Sequence, residues 1–289
     1  KLLHLSDANT SIRFPANNTV TVETGGSERL RINSSGNVMI GDSDTDNAGT
    51  GSDNLVIGAN SGDNGLTIVS GSGNYNGTIR FSDGANSGSD YYRGTIQYYH
   101  GGNYMRFYTD ATERLRIDSS GRVLIGATAS DSIWGLNAAL QVEGTTAETS
   151  AISVSRNTND SGGAFLTLAK SRGTSDGSNT IVQDDDGVGT IAFVAADGTD
   201  KEHTCAYIQA KVDGTPGSND LPGRLTFSTT ADGASSSTER LRIGSDGAIL
   251  VSNSYGIGIG AATNGSASYP SVTISGTSGG AIHFEDDGD

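Results

Sequence analysis

Three groups of residues in this 289-residue chain have the types and spacing for chemistry. The first is acidic. In Asp42-Ser43-Asp44-Thr45-Asp46-Asn47, with Asp53 twelfth in the run, oxygens recur at alternate positions and can converge on a hard cation such as calcium. Asn47 stands where a calcium loop carries glycine, Asp53 where it carries glutamate, and no helical pattern flanks the run. A solvated Asp/Ser/Gly linker is therefore the better reading, and Asp42, Asp44, Asp46 and Asp53 are the ligands if a metal binds. The second group offers paired carboxylates: Asp184-Asp185-Asp186, Asp197 and Glu202. Glycoside cleavage takes two carboxyl groups roughly 5–10 Å apart in unlike environments. Asp184 to Asp186 run into Gly187, which reads as a turn, so no catalytic residue is assigned. The third group is aromatic. If Ile96, Met105 and Phe107 point inward, alternation turns Tyr91, Arg93, Gln97 and Tyr99 outward on one strand and Tyr104, Arg106 and Tyr108 outward on the next. Exposed tyrosine beside arginine stacks on sugar rings, which makes Tyr91, Arg93, Tyr99, Tyr104, Arg106 and Tyr108 the candidate glycan contacts. Cross-strand aromatic pairing that stiffens a sheet is the stronger competing reading.

Other chemistries find no footing. The serines and the four histidines, His4, His100, His203 and His283, form no nucleophile motif. No glycine-rich loop follows a strand and opens a helix, so the 42 glycines do not indicate nucleotide binding, and no cofactor is expected. The single cysteine, Cys205, excludes an intrachain disulfide framework and reads as a small apolar filler in an alternating run. A net charge of −15 repels nucleic acid. No apolar stretch is long enough for a membrane-spanning helix, and no membrane insertion is expected. The chain opens at Lys1 without a signal-like apolar core and closes at Asp289 inside a fresh β unit, as expected of a stretch cut from a longer protein.

The elements that would position these groups are announced by a recurring phrase. It reads ERLRINSSGNVMIG from Glu28, ERLRIDSSGRVLIG from Glu113, and ERLRIGSDGAILVS from Glu239. Each copy predicts a β-hairpin. Leu30 and Ile32 alternate with Arg29 and Arg31, the period of a half-buried strand. Asn33-Ser34-Ser35-Gly36 then predicts a type I turn closed by a left-handed glycine, and Val38 and Ile40 begin the return strand. The arginine pairs are expected to meet Glu28, Glu113, Glu239 and acidic loop residues, within the chain or across a chain boundary, where they would set register.

The phrases end modules of unequal length: residues 1–41, 42–127, 128–254, and the start of another at 255–289. Within the two complete modules short alternating runs keep one order, including Leu66-Thr67-Ile68, Gly77-Thr78-Ile79-Arg80-Phe81, Ala151-Ile152-Ser153-Val154 and Gly189-Thr190-Ile191-Ala192-Phe193. A short helical turn is expected near Asp131–Ala139, around Trp134, and helices are otherwise absent. Hydrophobic residues make up only 34% of the chain, so each strand offers two or three inward side chains. That supply does not close a thick interior. The expectation is an all-β, elongated homotrimer of serial hairpin modules sharing a narrow axial core, to which Leu30, Ile32, Leu115, Ile117, Leu241 and Ile243 contribute from each of three identical chains.

The longer phrases, SIRFPANNTVTVETGGSERLRINSSG from Ser11, YYRGTIQYYHGGNYMRFYTDATERLRIDSSGRVLIG from Tyr91, and DGTPGSNDLPGRLTFSTTADGASSSTERLRIGSDG from Asp213, resemble modular tail-fibre and tailspike-like proteins of tailed bacteriophages, those of marine and cyanobacterial phages especially. The resemblance covers nearly the whole chain. It implies a trimeric, β-rich virion appendage that is extracellular, is bound to other virion tail proteins, and holds a host-recognition element that touches host surface glycans. Many such proteins carry a C-terminal intramolecular chaperone of the endosialidase type, whose signature run is absent here. A polysaccharide-degrading tailspike and a cellular surface filament or adhesin are the alternatives.

Overall fold

The structure, a computed structural model, describes residues 2–4, 6–41, 54–58, 63–84 and 88–251. These residues are all-β, with one 3-10 turn at Gly88–Tyr92 and no α-helix among them. The chain divides into two compact units, residues 1–113 and 114–289.

Each phrase lies in its own sheet, and in every sheet the strands follow chain order. The first sheet comprises β1 (Leu2–His4), β2 (Asp7–Arg13), β3 (Val20–Thr24), β4 (Ser27–Ile32), β5 (Val38–Ile40) and β6 (Leu55–Ile57). The second comprises β7 (Asn76–Phe81), β8 (Gly94–Tyr99), β9 (Tyr104–Thr109), β10 (Thr112–Ile117), β11 (Val123–Ile125) and β12 (Leu140–Val142). The third comprises β13 (Gly187–Val194), β14 (Thr204–Val212), β15 (Gly223–Thr230), β16 (Ser237–Ile243) and β17 (Ile249–Val251). The third sheet is antiparallel throughout, whereas the first two change sense at their last pair. There β6 pairs parallel with β5 and β12 parallel with β11 in one register, Val38 facing Leu55 and Val123 facing Leu140. The run after each of the first two phrases thus extends the sheet that precedes it.

Cross-strand register sorts side chains by face. On the first sheet Leu2, Ile12, Val22, Leu30, Ile40 and Ile57 stand in one row across all six strands, flanked by Val20, Ile32, Val38 and Leu55. The second sheet repeats this as Ile79–Ile96–Phe107 and as Leu115–Ile125–Val142, the third as Ile191–Ile208–Phe227–Leu241–Val251. The opposite faces carry Arg13–Thr21–Arg31–Met39, Arg80–Thr95–Tyr108 and Gln209–Thr226–Arg242. It is this polar face that is closed within the chain. Thr21, Thr95, Thr226 and Ser228 are buried, each a small hydroxyl residue flanked by long side chains that lie over it. The buried apolar residues among those described are few: Met39, Leu124, Val182 and Val212. The aliphatic rows stay open, and Ile32, Ile117 and Ile243, at one position of the three phrases, are 38%, 36% and 38% exposed.

The predicted turns form. Gly36, Gly121 and Gly247 take φ of +86°, +80° and +81°, and each donates to the carbonyl of the first turn residue at 3.0 Å. Asn33 Oδ1 accepts from the N–H of Ser35 and Asn37, and Asp118 Oδ1 from those of Ser120 and Arg122. Gly244 has no side chain to do this; Asp246 Oδ1 accepts from the Ala248 N–H at 2.9 Å, and Asp213 from a neighbouring loop accepts from the Ser245 N–H at 2.9 Å.

Three expectations give way. Arg29 does not simply alternate with Leu30. Leu30 faces Val22 while Glu28 faces Glu23, so Arg29 is the extra residue of a β-bulge, and Arg240 occupies the same bulge between the Ser228–Glu239 and Phe227–Leu241 pairs. No helical turn surrounds Trp134. Ile133 and Leu136 bond reciprocally, with Trp134 and Gly135 at φ +55° and +69°. Two consecutive residues at positive φ, the second a glycine, make a tight hairpin turn and exclude a helical one. Leu66–Ile68 and Ile152–Val154 alternate as strands do, yet they join no ladder.

Two substitutions test the turn assignments. Gly121→Ala meets open space, so its cost is backbone strain alone, about 1 kcal/mol in an unfolding titration. Ala111, at φ +56° where the matching turn of the first sheet has Gly26, gains about 1 kcal/mol as Ala111→Gly. A third concerns pH. Burial opposes ionisation of Asp118, but the N–H groups of Arg122 and Ser120 and the Arg122 guanidinium outweigh it and hold the carboxyl below its ordinary 3.8. A depressed folded value means stability that is present above pH 3.8 and lost as pH falls through the folded value. Asp118→Asn, which keeps both amide bonds as Asn33 does, flattens the fall in melting temperature between pH 5 and pH 2.

Candidate functional site

The three chemical groups separate in space. Asp42, Asp44, Asp46 and Asp53 lie outside the described residues. The carboxylates read as a glycosidase pair disperse into structural contacts. Asp186 holds Arg172 through two bonds of 2.6 and 2.7 Å, Asp185 pairs with Lys211 and Arg224, Asp184 accepts from the Gly214 N–H at 2.8 Å, and Glu202 accepts from Ser132 at 2.7 Å. The Arg172 guanidinium pulls Asp186 well below the usual carboxylate range; Lys211, then Arg224, lower Asp185; the N–H groups of Thr199 and Asp200 lower Asp197. A glycosidase acid needs the opposite shift, because it must hold its proton near neutral pH.

Asp197 instead meets residues that sequence reasoning did not join to it. His203 Nδ1 lies 3.6 Å from Asp197 Oδ2 and 3.8 Å from Asp200 Oδ1, and the three are exposed together in the turn before β14. Their even three-residue spacing, Asp197, Asp200, His203, is the signal the sequence carried. Cys205 is exposed, with its thiol donating to the Phe193 carbonyl at 3.2 Å.

The arginine–tyrosine group is the best-organised cluster. Register places Thr95, Gln97 and Tyr99 of β8 beside Tyr108, Arg106 and Tyr104 of β9 on the polar face. The Arg106 guanidinium carbon stands 5.8, 5.4 and 5.4 Å from the ring centres of Tyr99, Tyr104 and Tyr108. Arg106 Nε donates to Gln97 Oε1 at 2.7 Å, and Gln97 in turn donates to Thr78 Oγ1 at 3.0 Å. Glu113 accepts from the Tyr108 hydroxyl at 3.3 Å and lies 3.7 Å from Arg106. Tyr99 donates to Asn74 at 2.8 Å, and its ring meets that of Tyr104 at 5.1 Å. One cation therefore faces three electron-rich rings while its Nε–H is taken by an amide and a carboxylate stands within ion-pair distance. The other two predicted contacts lie apart: Arg93 bridges Asp90 and Asp110, and Tyr91 is exposed in the 3-10 turn. The geometry of four of the six residues is thus a cross-strand brace.

In the first and third phrases the glutamate and second arginine form a second repeated contact. Glu28 takes Arg31 with two bonds of 2.7 Å, and Glu239 takes Arg242 at 2.9 and 3.0 Å. In a regular strand residues three apart point to opposite faces; the bulge at Arg29 or Arg240 brings glutamate and arginine to one face.

Shape comparison decides what this frame is. It superposes on the carboxy-terminal domain of the bacteriophage T5 L-shaped tail fibre with a TM-score of 0.54 and 16% identity, covering 70% of this chain and 88% of that one. The fold is that of a bacteriophage tail-fibre domain. The same T5 domain with its intramolecular chaperone matches at TM-score 0.55 and 16% identity, over 80% of this chain and 71% of that one. No protein-family model and no curated sequence matches the chain. In this tail-fibre fold the Arg106 stack sits inside a sheet strand pair and works as packing. Arg106→Lys, which keeps the charge but loses the planar donor set, is expected to cost about 1–2 kcal/mol in an unfolding titration, and Arg106→Gln about as much.

Proposed function

We propose that this chain forms the shaft of a bacteriophage tail fibre, built from the modules 1–41, 42–127, 128–254 and 255–289, and assembled as a homotrimer whose three copies close a narrow axial core. The observation that carries the reading is the open aliphatic row repeated on three sheets of one tail-fibre fold. Leu30, Ile32, Leu115, Ile117, Leu241 and Ile243 all lie in or beside these rows, and none of the six is buried within the chain. An aliphatic side chain contributes roughly 1.5–3 kcal/mol when fully buried, so rows left open on every module favour association with like rows. Such a shaft is extracellular, attaches to other virion tail proteins and holds a host-recognition element away from the particle. Its own contact with host glycans falls to Tyr91 and Arg93, because Tyr99, Tyr104 and Tyr108 turn toward Arg106. Avidity across three copies then amplifies weak contacts. The lowered carboxylates favour this mechanical role over polysaccharide cleavage.

Mass in solution tests the assembly. Three chains of 29.5 kDa give about 88 kDa by light scattering, and Ile117→Asp, which puts a charge in the row, shifts the protein toward the single-chain mass. A wild-type chain that stays compact at about 30 kDa overturns the proposal.

A further inference from the structure

Two stretches outside the sheets share a design. Leu66-Thr67-Ile68 precedes Gly77-Thr78-Ile79-Arg80-Phe81, and Leu166-Thr167-Leu168 precedes Gly189-Thr190-Ile191-Ala192-Phe193. Both are strand-like in pattern and uncharged, and Leu66, Ile68, Val69, Phe165, Leu166 and Leu168 are all exposed. Among the described residues no backbone hydrogen bond reaches Gly65–Ser70 or Ala164–Ala169. Each stretch is held beside the opening of an edge strand. A Cβ at Gly77 would stand 3.7 Å from the Ile68 side chain, and one at Gly189 would clash with Leu168 at 2.7 Å. Those edge strands, β7 and β13, end their sheets with one side unpaired among the described residues.

We infer that Gly65–Ser70 and Ala164–Ala169 are strands completed by a second copy of this chain. The inference rests on the trimeric shaft proposed above and adds which backbone crosses between chains. An apolar alternating stretch with free N–H and C=O groups is a template for strand pairing, and a protein that leaves it single blocks it with charge or proline. Neither stretch has either device. The partner must offer a complementary edge twice, once per module, at the spacing this chain sets. A second copy has that spacing by construction, and its own unpaired stretches and open edges supply both halves of the ladder.

Amide hydrogen exchange on the whole chain, with mass measured on the same sample, tests this. In a three-chain particle the amides of Leu66–Ser70 and Phe165–Ala169 are expected to exchange at least 100-fold more slowly than in a free chain. Thr67→Pro and Thr167→Pro, each removing one donor, are expected to abolish protection in their own stretch while the three-chain mass persists. Free-chain exchange in a wild-type three-chain particle overturns the interchain strands and leaves the trimer standing. A single-chain mass overturns the trimer and the strands with it.

Discussion

A β-sheet one layer thick has two faces to satisfy, and this chain satisfies only one by itself. The polar face closes because short hydroxyl residues alternate, across strands, with long arginine, glutamate, glutamine and tyrosine side chains. Thr21 lies between Arg13 and Arg31, Thr226 between Gln209 and Arg242, and Ser228 between Tyr207 and Glu239. The long side chains lie flat, spend their methylenes as cover and pair their charged ends with one another. The aliphatic face has no such cover. This inversion, with small hydroxyl residues buried on the polar face and the aliphatic face open, makes sense of a chain whose apolar content is low and whose strands nonetheless keep their aliphatic rows through a bulge.

The bulge is what allows the polar face to close. Glu and Arg in the phrase are three residues apart, a spacing that a regular strand sends to opposite faces. Inserting Arg29 or Arg240 as an unpaired residue flips the parity of everything before it, so Glu28 joins Arg31 and Glu239 joins Arg242. The fork matters beyond its own energy on the first sheet, where Glu28 directly faces Glu23. Two facing carboxylates repel, and Arg31 on one and Arg13 on the other answer that repulsion. The displaced arginines are used as well: Arg29 and Arg240 reach Thr24 and Thr229 with matching bonds of 3.1 and 3.0 Å.

How much of this was legible follows from how local each feature is. The turns were readable because a left-handed glycine and an Asx side chain act within five residues, and the aliphatic rows because alternation survives pairing. The bulge was not, since nothing in ERLRI marks an extra residue until the partner strand fixes the register. The Arg106 brace was half legible: alternation placed Tyr99, Tyr104, Arg106 and Tyr108 on one face, but whether rings face solvent or a cation depends on rotamers that Gln97 and Glu113 set. Trp134 misled because a bulky residue at positive φ is rare, and here Trp134 N–H is pinned by the Lys201 carbonyl at 2.8 Å, a contact from 67 residues away in sequence.

Sheets that each close their own polar face tolerate long connections in a way a thick core does not. A thick core couples every residue to every other through packing, so an insertion must be absorbed everywhere. Here each sheet is closed on its polar face by its own residues, and the two phrases with a described following run end in a short parallel strand, β6 or β12, contributed by that run. Residues 143–186 lie between the second and third sheets and interrupt neither ladder, and where Gly244 replaces the Asx residue, Asp213 and Asp246 accept from the Ser245 and Ala248 N–H groups of the turn. The aliphatic rows recur from sheet to sheet while the connections between strands differ in length.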